Sequence, residues 1–204
     1  QVVCSSKQAA LHYQTYIRKA LQQWLDDEYT KPLDERDQAL IKQVEFIDAM
    51  VEKHQFDRSK LESVFTQAER KDSILEAIAR PAEKRLEWAG YRKIFLTKDR
   101  IERGRKFMVA HSKTLDRAVQ RFGVPAEIIT AIIGVETRYG NNKGSYRVID
   151  ALSTLAFDYP PRAKFFRSEL EQVLLLAKEQ NFNILDLKGS YAGAMGYGQF
   201  IPSS

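Results

Sequence analysis

Residues 123–140 read GVPAEIITAIIGVETRYG, the most apolar helix that this chain can form. Pro125 suits the first turn of a helix, where a missing N–H costs nothing, and Gly140 suits a left-handed C-terminal stop. Glu136 follows three isoleucines at spacings of three, four and seven residues, namely Ile133, Ile132 and Ile129. Its carboxylate is therefore predicted to project from the stripe that faces the core.

Burial and the negative end of the helix dipole both disfavour a charged carboxylate at Glu136. The spacing thus predicts a carboxyl group that keeps its proton near neutral pH, as a general acid needs. The alternative is a glutamate at the helix margin that turns into solvent or pairs with Arg138. Spacing alone does not decide between the two, because perturbed carboxylates are not confined to active sites.

The composition is that of an ordinary globular protein, with 44% hydrophobic and 29% charged residues among 204. A net charge of +5 favours an anionic partner, but the basic residues are scattered and form no nucleic-acid signature. We therefore predict no nucleic-acid partner. One cysteine excludes an internal disulfide, and the three histidines lack metal-ligand spacing, so no metal and no cofactor is expected.

Helical periodicity runs through nearly the whole chain and predicts a mainly α protein. Asp57 or Ser59 is predicted to cap one helix and Thr97 another. Residues 88–96 are ambiguous between helix and extended chain. A soft boundary divides the chain into an N-terminal helical region, 1–85, and a second unit, 86–204. The other helices are predicted over about 7–29, 35–53, 74–79, 97–122, 150–157 and 162–180.

Residues 189–200, GSYAGAMGYGQF, contain four of the ten glycines, and we call this segment the glycine block. A phosphate-binding loop is rejected, because no strand precedes the block and no Lys-Ser/Thr follows it. The spacing instead predicts a tight turn with polar side chains beside a cleft. Close packing of helices through small residues would explain the glycines, but not Ser190 and Gln199 among them.

Three segments, residues 132–140, 149–155 and 187–204, closely resemble the membrane-bound lytic transglycosylase B family. These bacterial enzymes cut the glycan strands of peptidoglycan. The similarity covers roughly residues 45–204. It implies a lysozyme-like helical catalytic core, of the goose-type and soluble lytic transglycosylase kind, preceded by an N-terminal helical region.

The resemblance makes Glu136 the single catalytic acid and base. It assigns Ser190 and Gln199 to hydrogen bonds around that carboxylate or the sugar, and Met195 among others to an apolar wall beside it. Arg162 would contact the muramic acid or peptide, and Tyr91 would line the cleft. The implied substrate-binding residues are Tyr91, Tyr139, Arg162, Ser190, Met195, Tyr197, Gln199 and Phe200.

The mechanism implied by the family is non-hydrolytic. Most glycosidases use two carboxylates, but no family role attaches to the candidates Asp150, Asp158 and Asp186. The substrate's own N-acetyl group would stabilise positive charge at the muramic C1. Glu136 would protonate the leaving oxygen and then take the proton of the C6 hydroxyl, which closes a 1,6-anhydro ring.

The sequence departs from the family in two places. Family members often carry two arginines after Tyr-Pro, whereas Pro161 precedes Arg162 here. The family continues past the position of Ser204, so we expect a truncated chain with an incomplete catalytic domain, whose activity stays open. In that continuation, family members often carry a calcium-binding acidic loop; no such loop occurs in this sequence, and no calcium is predicted for it.

Cys4, within Cys-Ser-Ser, resembles the lipid-bearing first residue of a mature bacterial lipoprotein, although Val-Val before it matches the usual cleavage site poorly. The alternatives are that this segment is an expression remnant or that Cys4 is an unmodified thiol. The expected protein is a monomer in the periplasm with peptidoglycan as its partner, and the lipoprotein resemblance implies attachment to the outer membrane by that lipid. The alternatives are a non-catalytic peptidoglycan-binding protein and, from charge alone, a helical nucleic-acid module.

Overall fold

The computed structural model describes residues 19, 23, 38–80 and 87–204. It confirms a mainly α fold. The predicted helix over 7–29 and Cys4 lie outside the described residues, and so does the segment that contains the predicted boundary at 85. The helices are α1 Gln38–His54, α2 Arg58–Gln67, α3 Asp72–Ala79, α4 Trp88–Phe95, α5 Lys98–Ala110, α6 Ser112–Phe122, α7 Ala126–Thr137, α8 Val148–Asp158 and α9 Ala163–Gln180.

Between α8 and α9 lies one 3-10 turn, Pro160–Arg162, and two short strands pair antiparallel. Strand β1 is Tyr146–Arg147 and strand β2 is Lys188–Gly189. Tyr146 lies opposite Gly189 in this pair. The strands join the loop after α7 to the start of the glycine block.

The predicted helix caps form where the side chains allow them. Asp57 accepts a hydrogen bond from the Lys60 backbone N–H (3.3 Å), and Thr97 accepts one from Arg100 (3.2 Å). The single helix predicted over 97–122 is wrong, because the chain leaves helical geometry at His111 (φ −114°, ψ 17°). The break divides the segment into two helices, α5 and α6, that both pack on α7.

The core surrounds α8, in which every residue from Val148 to Phe157 is buried. Helix α9 covers one side of α8, and α1 and α3 pack on it as well. Apolar side chains from both halves of the described chain meet in this cluster. Its largest fully buried members are Met50, Ile74, Ile149, Leu152, Leu155, Phe166 and Leu170.

Two polar residues of α8 hold the loop between α2 and α3. Asp150, which is 2% exposed, accepts hydrogen bonds from the Glu69 backbone N–H (3.0 Å) and from Nε of Arg147 (2.8 Å). Thr154 accepts one from the Lys71 backbone N–H (3.1 Å). Asp150 is thus a structural residue of the core.

A second layer is formed by α5, α6 and α7, where α7 packs on both of the others. None of the described helices is by itself long and apolar enough to span a membrane. Helices α6 and α7, bent by 114° at their junction, pass that test only as a pair, by length and composition.

Candidate active site

Helix α7 buries a different face from the one that its isoleucines predict. Its buried residues are Thr130, Gly134 and Thr137, spaced by four and three. Glu136 is exposed, and Ile132 is 50% exposed. The prediction that Glu136 lies on the buried stripe is therefore wrong. Its carboxylate is exposed to solvent, so the desolvation that we inferred from burial does not occur.

The side chain of Tyr139 explains why the small residues face inward. Its ring occupies a slot between α5 and α7, where a Cβ on Gly104 would lie 2.8 Å from the Tyr139 hydroxyl and a Cβ on Gly134 would lie 2.7 Å from its ring. Phe107 of α5 packs against the same ring, with centroids 5.8 Å apart. The two glycines thus let an aromatic ring take the place between the helices.

The predicted stripe is only partly covered. Ile129 and Ile133 are half-buried and line an apolar cavity of about 260 Å³ together with Phe107, Leu115 and Tyr197. This cavity lies where the periodicity predicts a packed core. Apolar spacing locates the face, but the residues that would fill the space beside it are set by tertiary contacts.

The C-terminal end of α7 is also shorter than predicted. The helix ends at Thr137, and both Arg138 (φ 50°) and Tyr139 (φ 61°) adopt left-handed geometry before Gly140 (φ 85°). Such geometry in residues other than glycine is strained and persists only where surrounding contacts fix it. The turn that follows Glu136 is therefore rigidly specified.

Neighbouring groups satisfy the last carbonyls of α7. The Ile133 carbonyl accepts from the Arg138 and Tyr139 backbone N–H groups, as in a helix-terminating motif. The Gly134 carbonyl accepts from a guanidinium nitrogen of Arg100 at 3.0 Å. A cation at this position also complements the negative end of the helix dipole.

The glycine block folds on itself through hydrogen bonds. Ser190 accepts from the backbone N–H groups of Ala192 (3.3 Å) and Ala194 (3.1 Å) through its hydroxyl oxygen. Met195 and Phe200 exchange both backbone bonds (2.8 and 3.2 Å), which closes a tight hairpin. The block therefore forms the tight turn that its glycines predict.

Gln199 lies at the tip of this hairpin in left-handed geometry (φ 49°). Its side-chain amide donates to the carbonyl oxygens of Lys143 (3.2 Å) and Gly196 (3.0 Å). The side chain of Ser190 is thus bonded to backbone within the glycine block, and that of Gln199 to backbone of the block and of the loop after α7. Their predicted role around the Glu136 carboxylate or the sugar stays a prediction.

The loop after α7 and the glycine block lie against each other. The hydroxyl of Thr137 is 3.0 Å from the Tyr197 carbonyl, and a Cβ on Gly140 would lie 2.2 Å from the Tyr197 ring. A Cβ on Gly144 would lie 2.0 Å from the Gly189 backbone. The residue that follows Glu136 is therefore bonded directly to the block that carries Ser190 and Gln199.

The other predicted site residues lie in different environments. Met195 is partly buried against the core, whereas Tyr197 and Phe200 are 44% and 66% exposed. Tyr91 is exposed on α4, where its ring packs against Trp88 and Phe95. The Arg162 guanidinium lies over the Phe165 ring at 4.3 Å.

Two residues that hold the glycine block or the segment directly after it were not predicted from the sequence. One is Thr137, and the other is Glu169 of α9, which is 2% exposed and accepts from the backbone N–H (3.0 Å) and hydroxyl (2.8 Å) of Ser203. The small-residue spacing of Thr130, Gly134 and Thr137 could have indicated the first. The apolar pattern of α9 contains no comparable indication of Glu169.

A second cavity, of about 350 Å³, borders the turn that follows Glu136. Its charged lining consists of Arg100, Arg103 and Arg138 with one carboxylate, Asp99, which pairs with Arg103 at 2.9 Å. Positive charge therefore exceeds negative charge at this end of α7, which favours anionic groups nearby.

The fold is a helical core in which the exposed Glu136 directly precedes Thr137, the residue bonded to the glycine-rich hairpin. Residues 39–204 match the Transglycosylase SLT domain family, and the chain belongs to it. The resemblance on which the sequence-based fold rested is thereby confirmed.

Two relatives show how much of the chain is shared. The chain is 48% identical over 169 residues to the membrane-bound lytic murein transglycosylase B of Escherichia coli K12, covering 78% of this chain and 47% of that protein. The crystal structure of the soluble lytic transglycosylase SltB1 of Pseudomonas aeruginosa is 55% identical, with a TM-score of 0.78, over 79% of this chain and 55% of that one.

A third comparison is with a ligand complex. The Escherichia coli lytic transglycosylase Slt35 in complex with bulgecin A is 49% identical, with a TM-score of 0.73, over 79% of this chain and 52% of that one. The chain spans about half the length of the relatives it matches.

Proposed function

We propose that this chain contributes the catalytic glutamate of a peptidoglycan lytic transglycosylase, which cleaves the β-1,4 bond between MurNAc and GlcNAc. Family membership over residues 39–204 carries this proposal. Relatives named as lytic transglycosylases, at 48% and 55% identity, support it. So does a solved relative, SltB3 of Pseudomonas aeruginosa in complex with NAG-NAM-pentapeptide, at 27% identity and a TM-score of 0.74.

In the proposed reaction, Glu136 begins protonated and donates its proton to the glycosidic oxygen as the bond to the muramic C1 breaks. The substrate's N-acetyl group stabilises the positive charge at C1. The Glu136 carboxylate then accepts the proton of the C6 hydroxyl while the C6 oxygen bonds to C1. The products are a GlcNAc 4-hydroxyl and a 1,6-anhydromuramyl end, and the enzyme regains its proton.

The position of Glu136 supports this assignment. Its side chain is open to solvent at the end of α7, while Thr137 next to it is buried and bonded to the glycine block. The block with Ser190 and Gln199 is therefore attached to the residue next to the carboxylate, and we expect a bound sugar chain to contact both. General acid catalysis requires such contact between the acid and the reacting oxygen.

The test is digestion of purified sacculi by the protein, by Glu136→Gln and by Glu127→Gln. Glu127 is a matched control, because it is an exposed glutamate in the first turn of the same helix. We expect anhydromuropeptides from the first and third proteins and none from Glu136→Gln, with mass spectrometry of the soluble products as the measurement.

Retained activity in Glu136→Gln would overturn the role of this residue. Absence of product from the unsubstituted protein would overturn the proposed activity. If that protein still sediments with peptidoglycan, and equally in Glu136→Gln, a non-catalytic glycan-binding function would take its place.

We further propose that the protein is a monomer and that it acts in the cell envelope, in the periplasm, where peptidoglycan lies. The envelope location is supported by the name of the Escherichia coli relative, which describes a membrane-bound murein transglycosylase. Attachment to the outer membrane through Cys4 is part of this proposal. Labelling with a radioactive fatty acid in cells, with Cys4→Ser as the control, would test it; equal labelling of both would contradict it.

A further inference from the structure

We propose that Thr137 is a positioning residue whose hydroxyl fixes the glycine block relative to the carboxylate of Glu136. The inference rests on the proposed function of Glu136 and adds a residue to it. Thr137 is 0% exposed, whereas Glu136, its neighbour in the sequence, is exposed to solvent on α7. Neighbouring residues on a helix point about 100° apart, so a contact that fixes one also orients the other.

The hydroxyl of Thr137 makes contacts in three directions. It accepts from the Gly140 backbone N–H at 3.0 Å and can donate to the carbonyl of Tyr197 at 3.0 Å or of Ile133 at 3.1 Å. In addition, the Thr137 carbonyl accepts from the Asn142 backbone N–H at 2.8 Å. One residue therefore joins α7, the loop that follows it and the glycine block.

The Thr137 hydroxyl has one proton to donate, and its hydrogen bond to the Tyr197 carbonyl contributes most to holding the glycine block. The Ile133 carbonyl already accepts from backbone N–H groups, including that of Tyr139 at 3.3 Å. A threonine bond to the carbonyl four residues earlier is common in helices and adds little to stability. The bond to Tyr197, by contrast, joins residues 60 positions apart across the site.

The packing of the Tyr197 ring on Gly140 supports the same role for Thr137. A Cβ on Gly140 would lie 2.2 Å from Cε1 of Tyr197, so the Tyr197 ring rests directly on the glycine whose N–H bonds to Thr137. The ammonium group of Lys143, in the same loop, lies over this ring, 4.9 Å from its centroid. Movement of the Thr137 hydroxyl would therefore release the ring as well as the carbonyl.

The expected catalytic effect follows from the internal bonds of the block. Ser190 bonds to Ala194, and Met195 bonds to Phe200, so the block keeps its own shape as a surface for sugar. Thr137 is therefore expected to affect the position of the block relative to Glu136, and not the internal shape of the block. Loss of this alignment should lower kcat more than it changes KM, because misplacement of reacting groups by about 1 Å can cost roughly 100-fold in rate.

Four variants test this role. Thr137→Val removes the hydroxyl at nearly constant size, and Thr137→Ser keeps it. Thr137→Ala differs from Thr137→Ser only in the hydroxyl, so this pair decides the question if the valine variant does not fold. The control is Thr130→Val, because Thr130 is 4% exposed on the same face of α7 and its hydroxyl has no partner in the described part of the chain.

We expect kcat on solubilised glycan strands to fall roughly 10- to 100-fold in Thr137→Val and Thr137→Ala, with KM close to that of the unsubstituted protein. Thr137→Ser should regain most of this rate, and Thr130→Val should keep all of it. Unchanged kcat in Thr137→Val, or equal losses in the serine and alanine variants, would overturn the proposal.

A measurement without substrate separates this inference from the proposed function. Amide hydrogen exchange at Gly140 reports the bond to Thr137 directly and needs no activity. We expect faster exchange there in Thr137→Val than in Thr130→Val, with unchanged exchange within α8. Equal protection of Gly140 in both variants would overturn the positioning role even if sacculi are cleaved, whereas inactive protein with the expected exchange difference would overturn only the proposed activity.

Discussion

Helices α7 and α8 are both strongly apolar, yet the structure uses them in opposite ways. Every residue of α8 from Val148 to Phe157 is buried, whereas α7 buries only Thr130, Gly134 and Thr137 and leaves its four isoleucines half-buried or exposed. Helix α8 has α1, α3 and α9 around it, while α7 packs on α5 and α6. The number and placement of partners, not apolarity alone, decide how much of a helix is buried.

The two helices also carry different kinds of polar residue. Asp150 and Thr154 of α8 are buried and accept hydrogen bonds from backbone N–H groups of a neighbouring loop. On α7, Thr137 is buried and Glu136 beside it is exposed. Helix α8 therefore stabilises the fold, and α7 carries at its exposed edge the carboxylate that we propose as the catalytic acid.

The sharpest test of this comparison exchanges one aliphatic side chain in each helix for alanine. Leu152→Ala in α8 should lower the free energy of unfolding by about 2–5 kcal/mol, because the side chain is fully buried and leaves a cavity. Ile132→Ala in α7, 50% exposed, should cost less than about 1 kcal/mol. Urea denaturation measures both, and equal losses would contradict the comparison.

A smaller effect is expected where Tyr139 lies between the helices. Gly134→Ala should destabilise the protein by about 1–3 kcal/mol through overpacking, although alanine is the better helix former by roughly 1 kcal/mol. Gly104→Ala should cost less, since its nearest atom is only the Tyr139 hydroxyl.

Tyr139→Phe separates these two sites. Removing the hydroxyl should restore the stability of Gly104→Ala but not that of Gly134→Ala, where ring carbons themselves lie 2.7 Å from the new Cβ. Thermal unfolding of the single and double variants is the measurement. Rescue of both glycine variants, or of neither, would show that the ring does not occupy the slot as described.

The smallest effect concerns pH and the loop bound to α8. The pKa of Glu69 is lowered, first by its hydrogen bond to Lys71 and then by the charges of Lys71 and Arg147. A lowered pKa means that this glutamate stabilises the fold above the ordinary pKa of glutamate, and that the contribution is lost as pH falls through the lowered value. Glu69→Gln should therefore remove a small acid-side slope from stability measured against pH, and an unchanged slope would contradict this.

Much of the fold could be predicted from the sequence, because capping and periodicity are local. Asp57 and Thr97 cap helices as predicted, and the glycine block forms a tight turn. The break at His111 was missed, since neither proline nor glycine marks it. The early end of α7 was missed because Arg138 and Tyr139 adopt left-handed geometry that tertiary contacts impose.

The site could be predicted only in part. The resemblance located Glu136 and the glycine block, but helical spacing gave the wrong face of α7, because it counted isoleucines and ignored Gly134. The small residues of α7, which are spaced by four and three and face the Tyr139 ring at Gly134, produce no apolar periodicity. Likewise, the bond between Thr137 and Tyr197 joins distant parts of the chain and depends on the loop geometry between them.

The most direct test of the central claim, that one glutamate cleaves the glycan without water, is digestion of sacculi in water enriched with heavy oxygen, followed by mass spectrometry of the muramic ends. Intramolecular attack by the C6 hydroxyl predicts anhydro ends that carry no heavy oxygen, and their absence in Glu136→Gln. Heavy oxygen at the muramic C1 would mean hydrolysis and would contradict the mechanism.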